Sequence, residues 1–359
     1  MKRKVVIGLV LMLTLTFILS ACGGSAPAAQ PTPPPGPATV QGNVGETTSF
    51  SPGEFQLRIA TVVSGDHAWV QMAEFIQEEL AVRTDGAVEV LIFPGGQLGN
   101  DEATIDDMRL GTLDMIVGGT QNAAPFVPSL QVLGLPYLFE DRYQFESILI
   151  GGGSVFDYVQ RRYDENSLGL VLLGLSNGGQ RNMYSNRPIA SVEDLAGLSM
   201  RVTASATESL IWATLGALPI SMPFNEIYTG MQSGMVDAFE VTLSAFAGSA
   251  LYEVAPYLIP AGHQFTPAHI TFSEISYNRL PGEFRTILRE VSEEASRLGT
   301  TIANQSDDLL VELMVAEHGL SVVDVDTVGF RTLIEPLYDE INADIGGEEL
   351  FQIIINQIG

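Results

Sequence analysis

Phe55-Gln56-Leu57-Arg58-Ile59-Ala60-Thr61-Val62 is the stretch on which the fold turns, because it opens a regular alternation of elements. Apolar and polar side chains alternate along it, the period-two pattern of a strand. From Ala68 to Arg83 the period lengthens, and Val70, Ala73, Phe75, Ile76 and Leu80 gather on one side of a helix. Ala87 to Phe93 predicts a second strand and Pro94-Gly95-Gly96 a turn. The side chain of Asn100 is a good acceptor for first-turn N–H groups, so it predicts the cap of a helix running to about Leu110. Leu113 to Val117 predicts a third strand. Strand, helix, strand, helix, strand is the alternation of a parallel α/β sheet.

Working towards the C-terminus, two helices are expected near 141–150 and 154–165. The unbroken apolar run Leu168 to Leu175 predicts a strand buried on both faces. Ser176-Asn177-Gly178-Gly179 then predicts a loop of small residues, and beyond it a second alternation starts. Its strands are expected at Arg181–Ser185, Met200–Val202 and Pro219–Met222. A short helix should begin at Ser191-Val192-Glu193-Asp194 and stop at Gly197, a second span Ser205–Leu215, and a third run from a cap at Asn225 to Ser233. A helical pattern from Glu283 to His318 would extend roughly 54 Å at 1.5 Å per residue, longer than one small lobe. The expected architecture is therefore α/β and two-lobed, with that helix as a common spine. Lobe 1 is expected to hold 54–178 with about 265–300, and lobe 2 to hold 179–264 with about 301–359.

The N-terminus carries an address. Lys2, Arg3 and Lys4 precede an apolar run from Val5 to Leu19, which at fifteen residues is shorter than the ~20 a spanning helix needs. It matches the hydrophobic core of a signal peptide. The run ends in Leu19-Ser20-Ala21-Cys22-Gly23-Gly24, an aliphatic residue and two small ones before the single cysteine of the chain. That pattern resembles a lipobox. It predicts cleavage after residue 21 and a lipid anchor on Cys22, with two or three acyl chains giving the firm attachment that one chain does not. Residues 22–53, rich in Pro, Ala, Gly, Thr and Gln around Pro33-Pro34-Pro35, have little to bury and read as a spacer. The expected location is extracytoplasmic, on the periplasmic side or at the cell surface.

Composition excludes several chemistries. The chain has 17 Lys plus Arg against 43 Asp plus Glu; losing Lys2, Arg3 and Lys4 with residues 1–21 leaves 14 against 43. Both lysines, Lys2 and Lys4, go with the signal peptide, so a Schiff base lacks its amine and a Walker-type loop its cation. No basic footprint for nucleic acid remains. Without a spare thiol there is neither a disulfide nor a Cys-ligated metal. His67, His263, His269 and His318 form no HExxH-type pattern, no Gly-x-Ser-x-Gly elbow occurs, and neither a metal nor a cofactor is expected. His263 and His269, six apart in an apolar stretch broken by prolines, read as structural. Asp106-Asp107 and Glu348-Glu349 are neighbours that diverge on a helix and read as solvated charges rather than an acid–base pair. No catalytic residue is expected, and a monomer is.

A set of ordered motifs carries a resemblance. They are Phe93-Pro94-Gly95-Gly96-Gln97-Leu98-Gly99, Arg109-Leu110-Gly111-Thr112-Leu113-Asp114-Met115, Leu135-Pro136-Tyr137-Leu138-Phe139, and Arg181 with Asn186-Arg187-Pro188-Ile189. Glu193 to Val202, Met222-Pro223-Phe224-Asn225-Glu226-Ile227-Tyr228 and Gly234-Met235-Val236-Asp237-Ala238 complete the set. Each is weak alone; their order and spacing, from about 55 to about 345, resemble the solute receptors of tripartite ATP-independent periplasmic (TRAP) transporters. The resemblance implies a flytrap fold of the periplasmic-binding-protein kind. It also implies an organic-acid ligand between the lobes and a permease in the membrane as partner. Arg201 matches the arginine that pairs with the ligand carboxylate, a role suited to the fork of a guanidinium. Arg181 matches a second cleft arginine, with the alternative that it ties the hinge to an acid such as Glu240. Phe224 matches an aromatic that packs on the ligand, with a core role as its alternative. Relatives carry Glu-Asn where this chain has Glu240-Val241, so the amide of the family clamp is replaced by an aliphatic group, with Thr242 as a candidate substitute. His67-Ala68 stands where relatives have His-Pro. An ABC-type or sensor-linked receptor, or a secreted hydrolase, are the alternatives to a TRAP receptor.

Overall fold

The structure is a computed structural model that describes residues 50–150 and 153–358, with side chains described at all of these except 306–308. The signal peptide, Cys22 and all but the last four residues of the expected spacer lie outside the described residues. No helix among the described residues is long and apolar enough to cross a membrane.

The opening alternation is present as read. Strand β1 (Phe55–Ala60), helix α1 (Ala68–Arg83), β2 (Val88–Phe93), α2 (Asp101–Leu110) and β3 (Met115–Gly119) succeed one another in order. β1 pairs in parallel with both β2 and β3. Helix α1 buries Trp69, Val70, Met72, Ala73, Ile76 and Leu80. At α2 the Asn100 side chain accepts from the Ala103 N–H at 2.9 Å, and Gly111 at φ 71° ends the helix in the left-handed region. Helices α3 (Arg142–Leu149) and α4 (Ser154–Glu165) then lead into β4 (Leu170–Ser185).

At β4 the structure departs from the expectation. Ser176-Asn177-Gly178-Gly179 is not a loop: one strand of 16 residues runs through it and absorbs the strand expected at Arg181. Its partner, β8 (Tyr257–Ser273), runs antiparallel to it along the whole length and is the stretch that reads as Pro-interrupted. Both prolines sit where the pairing is irregular. Pro267 lies opposite Asn177 at one register shift, and Pro260 falls in the gap of another, so neither removes a ladder hydrogen bond from a regular stretch. Small residues are needed at the crossing: a Cβ on Gly178 would come within 3.0 Å of the Thr266 carbonyl and 3.2 Å of the Trp69 indole nitrogen.

Beyond β4 come β5 (Ser199–Val202), α5 (Ala206–Thr214), β6 (Leu218–Ser221), α6 (Ile227–Gln232), β7 (Ala238–Thr242) and α7 (Leu243–Gly248). β5 lies parallel to β6 and β7, and β7 antiparallel to β4. Ser191 and Asp194 make the capping box of a one-turn 3-10 helix at Val192–Leu195. Asn225 does not cap α6; it sits inside a 3-10 turn, Phe224–Glu226, that precedes the helix. The sheet order β2-β1-β3-β8-β4-β7-β5-β6 thus has a parallel trio at each end, joined by the two long antiparallel strands. Two lobes sharing β4 and β8 are the structural consequence. After α8 (Glu274–Arg279), the expected spine appears as α9, Gly282–His318, ended by Gly319 at φ 69°. It packs on α1, β4 and α7. Helices α10 (Thr327–Ile334), α11 (Tyr338–Ile345) and α12 (Glu348–Ile358) close the chain.

Candidate functional site

Where the two strand trios face each other, two cavities meet. The inner one, about 40 Å³, is lined by Val62, Val63, His67, Trp69, Asn122, Arg181, Arg201, Thr203, Phe224, Val241, Thr242, Ala245 and Thr266. The outer one, about 220 Å³, shares Asn122, Arg201, Thr203 and Phe224 and adds Asn100, Asp101, Glu102 and Ser221. Hydrogen bonds also join chain segments distant in sequence. The Ser64 hydroxyl donates to the Gly248 carbonyl at 3.2 Å, and Gln131 Oε1 accepts from Ser205 Oγ at 2.5 Å and from the Thr207 N–H at 3.2 Å.

Arg201 sits on β5, paired with Ile220 and Phe239 on its two neighbours, so its side chain is fixed from both sides. It is 3% exposed. Its Nε donates to the Met222 carbonyl at 2.8 Å, and among the described residues that is its only hydrogen bond. No carboxylate forms an ion pair with it there. Burial, and then the charge of Arg181, push its pKa down to about 10. It therefore keeps its proton at neutral pH and remains a buried cation with two open nitrogens.

Arg181, on β4, is engaged. Its Nε and one terminal nitrogen take both carboxylate oxygens of Glu240, and the same terminal nitrogen also donates to the Glu240 carbonyl at 2.8 Å. Glu240 is 1% exposed on β7, with the His263 Nε2 3.4 Å from the same oxygen that Arg181 Nε engages. Burial would push this carboxyl up, but the Arg181 charge and hydrogen bonds win and hold it at about 2. The Arg181 guanidinium is raised in turn, the Glu240 charge outweighing burial. Of the two roles considered for Arg181, the tie to Glu240 is therefore realised in the geometry, although the residue still lines the inner cavity.

The remaining candidates divide. Phe224 is half-buried and lines both cavities while packing on the core. Val241 is 3% exposed and presents an aliphatic wall. Thr242 lines the inner cavity, and its hydroxyl also caps α7 by accepting from Ala245 N and lies 3.3 Å from Ser244 Oγ. His263 lies edge-on to Trp212, and the His269 Nδ1 meets Thr271 Oγ1 at 2.6 Å. Among the described residues no three His, Cys, Asp or Glu side chains are placed to hold a metal.

Several residues in the site carry no sequence signal of their role. Glu208 is buried; its Oε2 accepts from the Thr203 N–H and hydroxyl at 2.9 and 2.7 Å, while Oε1 finds no partner among the described residues. Burial, and then the Glu240 charge, push its carboxyl up. Asp101, in the first turn of α2, opens on the outer cavity, and desolvation lifts its carboxyl to about 6 against the pull of Asn122 and Arg201. Trp69 and His67 reach the inner cavity from the start of α1, and Thr266 from β8.

Comparison with known proteins places this geometry. The family described as bacterial extracellular solute-binding protein, family 7 (DctP), matches residues 59–344. The 2,3-diketo-L-gulonate-binding periplasmic protein YiaO of Escherichia coli is 29% identical over 260 residues, 72% of this chain and 78% of that protein. The C4-dicarboxylate-binding periplasmic protein DctP of Rhodobacter capsulatus is 26% identical over 282 residues, 76% and 82% of the two chains. A TRAP periplasmic solute-binding protein of Xanthobacter autotrophicus Py2, solved with bound β-D-galacturonate, superposes with a TM-score of 0.77 at 27% identity, covering 83% of this chain and 99% of that one. These relatives are receptors, and neither the hydrolase nor the ABC-type reading has a counterpart among them. The chain belongs to family 7 of the bacterial extracellular solute-binding proteins and is a two-lobed TRAP-type solute receptor, not an enzyme.

Proposed function

We propose that the protein binds a small organic acid in the cleft between its lobes, with Arg201 as the carboxylate anchor, and delivers it to the membrane permease of a TRAP transporter. The observation that carries this reading is the buried guanidinium of Arg201, fixed by one hydrogen bond and open at both terminal nitrogens. A charge withdrawn from water without a partner costs several kcal/mol, in order of magnitude, unless a ligand supplies the counter-charge. A carboxylate matches the two parallel N–H groups. Ligands of the relatives are in keeping: galacturonate for one, succinate for a receptor of Sulfurospirillum deleyianum that shares the fold. Arg181, tied to Glu240, contributes a rigid wall rather than a direct clamp. Phe224 and Val241 shape the space beside the carboxylate.

Delivery works by population shift. A ligand that bridges Arg201 on one lobe and the residues of the other stabilises the closed form by its differential affinity, and the closed surface is what a permease can recognise. Cys22 would hold the receptor at the membrane as a lipoprotein, and residues 22–53 would act as the tether, raising the receptor's local concentration at the permease. The lobe limits 54–178 with about 265–300, and 179–264 with about 301–359, are proposed as the rigid bodies of that motion.

A thermal-shift screen of organic acids, run beside product analysis, tests the reading. Saturable stabilisation by a carboxylate with no chemical turnover is expected; turnover, or stabilisation only by neutral solutes, contradicts it. For the anchor, mass spectrometry of the membrane fraction should find a diacylglyceryl modification at Cys22, lost together with membrane retention in Cys22→Ser. A water-soluble product cleaved elsewhere would remove the lipoprotein proposal.

A further inference from the structure

The inner cavity holds donors that lack partners, and these bear on the ligand. They are set beside Asn122 and threonine hydroxyls that can also accept. Arg201 offers two terminal nitrogens. The Trp69 indole N–H and the Thr266 hydroxyl are buried without a hydrogen-bond partner among the described residues, on side chains 6% and 3% exposed. His67 accepts the Trp69 backbone N–H on Nδ1 at 3.1 Å, and burial keeps its pKa down at about 3, so the neutral ring carries its proton on Nε2. Of the nearby carboxylates, Glu240 is committed to Arg181, and Glu208 commits Oε2 to Thr203 while its Oε1 has no partner among the described residues. Val62, Val63, Val241 and Ala245 make the rest of the wall aliphatic. An indole N–H sealed in such a chamber without an acceptor is costly, and a ligand oxygen is the group that would satisfy it.

Size and charge narrow the occupant. At 10–15 Å³ per water-sized site, the 40 Å³ chamber takes roughly three or four non-hydrogen atoms, so a carboxylate on Arg201, which lines both cavities, extends into the outer one. A second carboxylate has no open cation in the chamber, since Arg181 is neutralised by Glu240. Turned outwards, it would meet Asp101 and Glu102. An ammonium group there would face the open cation Arg201 and the unpartnered N–H of Trp69. A polyhydroxylated chain turned inwards would set hydroxyl protons against Val62, Val63 and Val241.

We infer that the cargo is a short-chain 2-oxo monocarboxylate, its carboxylate on Arg201, its ketone oxygen accepting from the Trp69 and Thr266 donors, and its alkyl tail against Val62, Val63 and Val241. This rests on the carboxylate reading above and refines it. A ketone oxygen is the one 2-substituent that accepts without donating, and a tail of one to three carbons fills the remaining space. Val241 is then a specificity residue: an amide in its place would add polar groups to a wall that an alkyl tail prefers dry.

The test is a calorimetric titration of the whole chain with five acids: 2-oxobutanoate, 2-hydroxybutanoate, 2-aminobutanoate, succinate and galacturonate. The expected order places 2-oxobutanoate at least tenfold tighter than each of the other four, with the amino acid weakest. Trp69→Phe and Thr266→Val should each weaken 2-oxobutanoate about tenfold while leaving plain butanoate, which lacks the ketone, within twofold. Val241→Asn should narrow the gap between 2-oxobutanoate and galacturonate. Tighter binding of succinate, galacturonate or 2-aminobutanoate overturns the inference and leaves the carboxylate reading standing. Failure of all five acids to bind overturns that reading and this inference with it. Equal losses for butanoate and 2-oxobutanoate in the Trp69 and Thr266 variants would show packing rather than ketone recognition and also overturn it.

Discussion

Two buried arginines line one chamber and live under opposite conditions. Arg181 spends its guanidinium on Glu240 and is as satisfied as a buried cation can be. Arg201, 3% exposed, holds a single backbone carbonyl and keeps two nitrogens open. The pair is informative because residue type, burial and cavity are shared, so only the partner differs. A buried charge with its counter-ion is part of the frame; the same charge without one is a site held ready for a ligand, at a cost to the unliganded fold.

The sharpest way to break that contrast is to remove each charge while keeping bulk. Arg181→Met should destabilise the unliganded protein by about 3–5 kcal/mol, because it strands Glu240 as an unpaired buried anion; chemical denaturation measures it, and a change under about 1 kcal/mol would put the frame elsewhere. Arg201→Met should do the reverse, raising the unfolding midpoint of the unliganded protein while abolishing ligand-induced stabilisation, a trade of function against stability. A lower midpoint for Arg201→Met would mean that its charge is satisfied after all.

Acid offers a second probe of the frame. The Glu240 carboxyl sits at about 2 in the fold, below the ordinary carboxylate range, so its contribution is present above that range and is lost as pH falls from about 4.5 through 2. His67 and His269 are held neutral by burial, at about 3 and about 4, so their contribution is complete above about 6.5 and erodes as pH falls from there towards the folded values. Stability measured against pH should therefore decline in two stages below about 6.5. His67→Gln should flatten only part of the first stage, because His269 carries the rest, and Glu240→Gln should remove the second.

Binding should track Arg201 at the other end of the scale. Affinity for a carboxylate is expected to stay level from about pH 7 to 9, because the guanidinium keeps its proton there even though burial pushes its pKa down. The smallest effect concerns the mouth. Asp101 protonates near pH 6, so an anion should bind a few-fold tighter as pH falls through that value, and Asp101→Asn should erase this dependence.

Much of this architecture is legible in the residues. The first trio of strands announces itself by period, and its helices by Asn100 and Gly111, which do locally what such residues do anywhere. The long helix is bounded by Pro281 and Gly319 for the same reason. The β4–β8 crossing is not legible, since Gly178, Gly179, Pro260 and Pro267 look like punctuation and become tolerable in strands only through a long-range partner with matching irregularities. At the site, Arg201, Arg181, Phe224 and Val241 are brought to one chamber, with Glu240 behind Arg181. The donors of Trp69 and Thr266 lie outside any motif that marks them, and His67 is marked only by its place before Ala68; nothing short of the folded chamber shows that Trp69 and Thr266 are left without partners.

The central claim, that the open charge of Arg201 holds the ligand, is tested most directly by calorimetric titration of Arg201→Ala and Arg201→Lys with the acid that most stabilises the wild type. Loss of affinity of about a hundredfold or more in Arg201→Ala, with partial recovery in Arg201→Lys, is the predicted result, since lysine restores the charge but not the two-pronged geometry. Binding that survives the alanine substitution within a few-fold would contradict it.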